Sequence, residues 1–86
     1  MKHSDSNDRR CLRSEDGSLV FTLSRSPSGL YVERVRILSK GTRVVQSALL
    51  ADVTSLRRWC DNDPLRFEFP LVFAMLKRDG SNLLDR

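Results

Sequence analysis

Three arginines in the middle of the chain are the residues whose type and spacing best suit the binding of an anionic ligand. Arg34 and Arg36 lie two positions apart in one alternating run, and Arg43 lies in the next. A guanidinium group presents its donors as a planar fork that matches two oxygens of a phosphate. We expect these three arginines on one face of a sheet, with Arg25 and Lys40 near the hairpin ends. This pattern predicts an anion-binding surface, and nucleic-acid phosphate is the candidate ligand.

The net charge of +4 comes from the same region. Residues 25–43 contain five basic residues and one acidic residue, Glu33, whereas residues 1–16 contain four of each. Such a cluster attracts anionic partners, but on a solvated sheet face it can serve solubility alone. Both interpretations remain open from the sequence.

Neither catalysis nor metal binding is indicated by the sequence. The only histidine is His3, and Cys11 and Cys60 do not have the spacing of a zinc site. The chain contains no glycine-rich phosphate loop and no nucleophile paired with a base. We therefore expect a non-enzymatic binding module without a cofactor or metal, and with two free thiols.

Alternating apolar runs predict a three-stranded antiparallel meander. The runs cover residues 19–23, 30–38 and 42–49. Between the first two runs, Pro27-Ser28-Gly29 fits a three-residue loop, because proline supplies a φ near −65° and glycine a positive φ. That loop pairs Phe21 with Val35, whereas a four-residue loop would pair Phe21 with Arg34. The first register places apolar residues opposite each other and is the one predicted.

The predicted register assigns the two faces of the sheet. The apolar face contains Leu19, Phe21, Leu23, Tyr31, Val35, Ile37, Val44 and Ala48. The basic face has no aromatic residue, which argues against base stacking there and leaves contact with the phosphate backbone. For the second turn, a Lys40-Gly41 loop pairs Ile37 with Val44, and a bulged pairing is the alternative.

The C-terminal part of the chain must cover the apolar face. Residues 51–60 predict a helix capped by Asp52, with Trp59 in the core. Residues 71–78 predict a second helix, with Pro70 in its first turn and Gly80 as its C-cap. The fold class is therefore α+β, a three-stranded antiparallel β-meander packed by C-terminal helices.

The segment 65–69 allows two structures. Its strict alternation is typical of a short strand, which would be the fourth. Alternatively, Asp63 and Pro64 open a helix, with aspartate as the cap and proline at the first position.

The apolar C-terminal segment also predicts an interface. Its large side chains are difficult to bury in a chain of 86 residues. The alternative function is thus a homodimer or protein-interaction module, whose candidate interface residues are Phe67, Phe69, Leu71, Phe73 and Leu76.

The N-terminal residues and the lengths of the apolar runs predict the domain boundary and the location of the protein. Residues 1–16 have few apolar side chains and predict a disordered tail before a single domain at 17–86. The polar first ten residues do not resemble a signal peptide, and no apolar run reaches membrane-spanning length. We therefore expect a cytoplasmic protein with no membrane partner.

Overall fold

A four-stranded sheet is covered on one face by three helices in the computed structural model, which describes residues 8–85. The strands are β1 (Arg9–Arg13), β2 (Leu19–Ser26), β3 (Gly29–Leu38) and β4 (Gly41–Leu50). They are all antiparallel and neighbour one another in chain order. The helices are α1 (Val53–Asp61), α2 (Leu65–Glu68) and α3 (Pro70–Leu84). This arrangement confirms the α+β fold class.

The additional strand comes from the N-terminal segment. Residues 9–13, which the sequence places in a disordered tail, form β1 and pair with β2. That expectation is wrong for these residues because Leu12 is buried opposite Phe21. The rest of the expected tail up to residue 7 lies outside the described residues.

Segment 65–69 is helical rather than extended. The Asp63 side chain accepts a hydrogen bond from the Leu65 backbone N–H at 2.9 Å, which starts α2 after Pro64. The aspartate–proline opening therefore prevails over the alternating pattern, and the fourth strand is β1.

The turn between β2 and β3 has the register of the four-residue alternative and not the predicted one. Arg25 pairs with Leu30 and Phe21 with Arg34 rather than Val35, and Ser26 also pairs with Gly29, which leaves two residues in the turn. Gly29 adopts a φ of 134°, and the Ser26 hydroxyl donates to its carbonyl at 3.0 Å. Because a shift of one residue exchanges the faces of a strand, the predicted face assignment of β3 is wrong.

The register between β3 and β4 is shifted as well. Ile37 pairs with Thr42 rather than with Val44. Farther from the turn, Val45 is an extra residue between two pairs, which makes a β-bulge. The predicted Lys40-Gly41 loop and its Ile37–Val44 pair are therefore wrong, because Leu38 pairs with Gly41 and the bulge lies away from the turn.

The core lies between the sheet and the helices. Four residues of the predicted apolar face pack there: Leu19, Phe21, Leu23 and Ala48. The other four, Tyr31, Val35, Ile37 and Val44, belong to the opposite, uncovered face, which we call the outer face. Leu30 and Val32 occupy the β3 positions in the core instead, and both are fully buried.

Both long helices begin with a side-chain cap. The Asp52 carboxylate accepts from the Ser55 N–H at 2.8 Å, which confirms the predicted start of α1. At the start of α3, the N–H groups of Leu71 and Val72 donate to the two oxygens of Glu15, at 2.9 and 3.2 Å. This long-range cap attaches the β1–β2 loop to the last helix and satisfies donors that have no partner within the helix.

Helix α3 continues through the residue predicted to end it. Gly80 is buried inside the helix, and a Cβ there would lie 2.7 Å from Leu56 Cδ2 and 3.0 Å from Leu30 Cδ2. The prediction of a C-cap is wrong because this glycine serves close packing rather than a left-handed turn.

Two turn glycines provide a matched test of the β2–β3 turn. A Cβ on Gly29 would lie 2.4 Å from the Leu50 carbonyl oxygen, whereas one on Gly41, with a φ of 125°, has nothing within 4 Å. We expect Gly41→Ala to lower the free energy of unfolding by about 1 kcal/mol, for its positive φ alone. Gly29→Ala should cost about 3 kcal/mol, because backbone atoms obstruct the methyl group. Urea denaturation measures both, and equal costs would contradict the close approach.

Candidate anion-binding site

An ion pair joins the sheet to the helical layer. The Arg34 Nη2 donates to Asp63 Oδ2, and the two side chains are 12% and 11% exposed. The guanidinium carbon lies 5.4 Å from the ring centre of Phe21 and 5.7 Å from that of Trp59. Two aromatic faces and one carboxylate therefore hold this cation in place.

Asp63 is fixed by the start of α2. Its second carboxylate oxygen accepts from the Leu65 N–H at 2.9 Å, and its backbone carbonyl accepts from the Arg66 side chain at 3.0 Å. The same carboxylate thus neutralises Arg34 and opens a helix, which orients the loop between α1 and α2 relative to β3.

A pocket of about 620 Å³ lies beside this ion pair, between β3–β4 and α1. We call it the Arg34 pocket. It is lined by Arg34, Gln46, Leu50, Ser55, Arg58, Trp59, Asn62, Asp63, Pro64 and Leu65. Its volume falls within the range of roughly 300–1,000 Å³ that is usual for small-molecule sites. Apolar walls and a few polar groups are the composition that such sites share.

Two arginines stand opposite each other just beyond the pocket. Arg36 pairs across the strands with Arg43, and both are exposed. Arg36 lies on the same face as Arg34, ~7 Å farther along β3. Within residues 8–85, neither member of this arginine pair has a carboxylate partner. Like charges directly opposite each other are destabilising, so a bound anion would relieve their repulsion.

The predicted basic residues do not all lie in one place in the structure. Arg34, Arg36 and Arg43 share a face as expected, but it is the face that the helices cover. Lys40 lies in the exposed β3–β4 turn, at the same end as the arginine pair. Arg25 pairs with Leu30 at the opposite end of the sheet and is separated from the others.

Sequence reasoning missed the residues that α1 contributes. Ser55, Arg58 and Trp59 of α1 line the Arg34 pocket together with Asn62, the C-cap of that helix. Their spacing of three, four and seven positions defines one face of a helix. That periodicity could have identified them. Trp59 is half-buried, so it supports the core and still lines the pocket. No local pattern could reveal Asp63, which is 29 positions from Arg34.

The predicted interface residues are divided by the fold. Phe69, Phe73 and Leu76 are buried in the core, whereas Phe67 and Leu71 are 75% and 66% exposed. They do not form one surface because α3 presents only part of its circumference to solvent.

A different apolar surface occurs on the outer face. Val20, Val35 and Val44 pair across three strands in one row, in which Val20 is buried, Val35 is half-buried and Val44 is exposed. Tyr31 and Leu49 form another cross-strand pair on that face, and both are exposed. Antiparallel sheets usually carry polar residues on a solvated face, so this row is a second candidate site.

The remaining reactive groups contribute little chemistry. Burial raises the pKa of the Cys60 thiol to about 11, which keeps it protonated at neutral pH. In residues 8–85, no three histidine, cysteine or acidic side chains are grouped so as to hold a metal ion. No helix in that range is long and apolar enough to cross a membrane.

A double-mutant cycle tests whether the ion pair anchors the site. Asp63→Asn should lower the free energy of unfolding by about 3 kcal/mol, because it leaves Arg34 without its counterion. Adding Arg34→Met should restore part of this loss, since the unpaired charge is then removed. Urea denaturation of the two single variants and the double variant measures the coupling. Purely additive losses would contradict a coupled pair.

Comparisons with known proteins give no match. No protein-family model, curated protein or solved structure matches this chain. The charges and geometry of the two candidate sites are therefore the basis for a functional proposal.

Proposed function

We propose that this chain is a non-enzymatic module that binds nucleic-acid phosphates through the arginine pair. The observation that carries the proposal is the direct cross-strand placement of Arg36 and Arg43, both exposed and without a carboxylate partner among residues 8–85. A phosphate between the two guanidinium groups accepts from both forks and removes their mutual repulsion. Lys40, at the same end of the sheet, adds a point charge for a neighbouring phosphate.

Arg34 has a different part in this proposal. Its charge is balanced by Asp63, and its position is held by Phe21 and Trp59. It therefore positions the pocket beside the phosphate site and is not a principal phosphate contact. This modifies the hypothesis from sequence, in which Arg34 contacts phosphate together with Arg36 and Arg43.

Charge-matched variants test the proposal. Arg36→Gln with Arg43→Gln removes two charges from the proposed site, and Arg9→Gln with Arg13→Gln removes two from exposed positions on the outer face. Labelled single-stranded and duplex oligonucleotides are titrated over a series of salt concentrations. We expect the first variant to bind more weakly and to reduce the slope of log K against log salt by about 1 to 2.

The control should retain both the affinity and the salt slope of the original chain. An equal loss in the two variants would show that only net charge matters, which contradicts the proposed site. Absence of binding by the original chain at low salt would also contradict it.

A second candidate is self-association through the outer face. It is favoured by the valine row and by exposed Leu49 and Val44, whose side chains are more than half accessible to solvent. The partner we consider is a second copy of the chain, because a two-fold axis brings the same apolar row of each copy together. Valine side chains on a pleated face interlock closely in such a contact.

Light scattering tests whether the outer face or the C-terminal segment forms the dimer interface. If the outer face is the interface, Val44→Glu should convert a dimer to a monomer, whereas Phe67→Glu should leave the mass unchanged. Both positions are exposed, so each variant should fold, which circular dichroism verifies. A monomeric mass for the original chain at its highest concentration, or dissociation by Phe67→Glu alone, would contradict the outer-face dimer.

A further inference from the structure

We infer that the Arg34 pocket receives a nucleobase from a single strand whose phosphate lies on the arginine pair. The inference rests on the proposed function and adds a second subsite to it. The observation that carries it is that a pocket containing an aromatic ring lies next to the arginine pair, whose members have no carboxylate partner among residues 8–85.

The pocket has a stacking surface that the sequence did not place beside the arginines. Trp59 lines it, and the Arg34 guanidinium lies 5.7 Å from the tryptophan ring centre. Leu50 and Leu65 complete the apolar walls. Bases turned out of a strand stack on aromatic rings and arginine planes, which every base offers through its π face.

Polar groups around these walls match the edges of a base. Gln46 and Asn62 line the pocket, and each amide offers both a donor and an acceptor. Amide side chains form paired hydrogen bonds with adenine in other proteins because their donors and acceptors alternate in the same way.

The distance between the subsites fits one nucleotide. Arg34 and Arg36 share a face and are two residues apart, ~7 Å along β3. A single nucleotide bridges such a distance between its phosphate and its base. Arg58, also in the pocket lining, provides a cation for the phosphate on the other side of the sugar.

An acidic peptide would use the arginines but not the pocket. Its carboxylates can pair with Arg36 and Arg43, yet the aspartate and glutamate side chains that carry its charge supply no planar ring to stack on Trp59. The combination of tryptophan, two amides and a cationic rim therefore favours a base over a peptide.

Tryptophan fluorescence provides a direct readout, because Trp59 is the only tryptophan of the chain. The probes are a single-stranded oligonucleotide, the same oligonucleotide with abasic sites, inorganic phosphate and a polyglutamate peptide. We expect the intact strand to quench Trp59 and to bind about tenfold or more tightly than the abasic strand. The abasic strand should still bind through the arginine pair.

Two variants test the pocket itself. Asn62 is exposed, so Asn62→Ala should fold. We expect this variant to reduce the difference in affinity between the intact and the abasic strand. Trp59→Phe keeps an aromatic ring and should retain most of this difference in affinity, whereas Trp59→Ala should abolish it. Neither variant contains a tryptophan, so their affinities are measured with labelled oligonucleotides. If Trp59→Ala does not fold, the Asn62→Ala result decides.

The outcomes separate the base subsite from the phosphate site. Equal affinity for intact and abasic strands, without quenching, would overturn the base subsite and leave the proposed function standing. Failure of both strands to bind would overturn both. Quenching by inorganic phosphate or by polyglutamate, as strong as that by the intact strand, would also overturn the base subsite.

Discussion

The ion pair between Arg34 and Asp63 is the interaction on which the rest of the architecture depends. It joins the middle of β3 to the loop between α1 and α2. Removing two charges from water is costly, and the pair offsets that cost with further contacts. Phe21 and Trp59 flank the cation, and the Leu65 N–H donates to the carboxylate. The pocket lies against this pair, so one wall of the pocket contains two opposite charges that balance each other.

Two other long-range contacts hold the helical layer in place, one between the β1–β2 loop and α3 and one between α3 and α1. Glu15 caps α3 from the β1–β2 loop, and Lys77 on α3 forms an ion pair with Asp61 on α1, at 2.7 Å. Gly80 allows α3 to approach Leu56 and Leu30 closely. Each contact joins segments far apart in the sequence, so α1 and the sheet are held in the arrangement that forms the pocket.

The two faces of the sheet offer different chemistry. The covered face extends past the helices into the arginine pair, which has no carboxylate partner among residues 8–85. The outer face carries a valine row suited to another apolar surface. The two proposed sites lie on opposite faces of the sheet, so a ligand at one would not obstruct a ligand at the other.

The sequence by itself determined the identity of most elements. Alternating runs located β2, β3 and β4, the glycines at 29 and 41 marked both turns, and Asp52 marked the start of α1. These signals are local, because backbone conformation, alternation and capping each depend on residues a few positions apart.

Only the tertiary structure decided which face each β3 residue occupies. Pro27, Ser28 and Gly29 are compatible with two loop lengths, and the choice between them exchanges the faces. Apolar matching across the strands favoured the wrong length because it treated Arg34 as a surface residue. The energy that places Arg34 beside Phe21 comes from Asp63 and Trp59, which approach it only when the helices pack on the sheet.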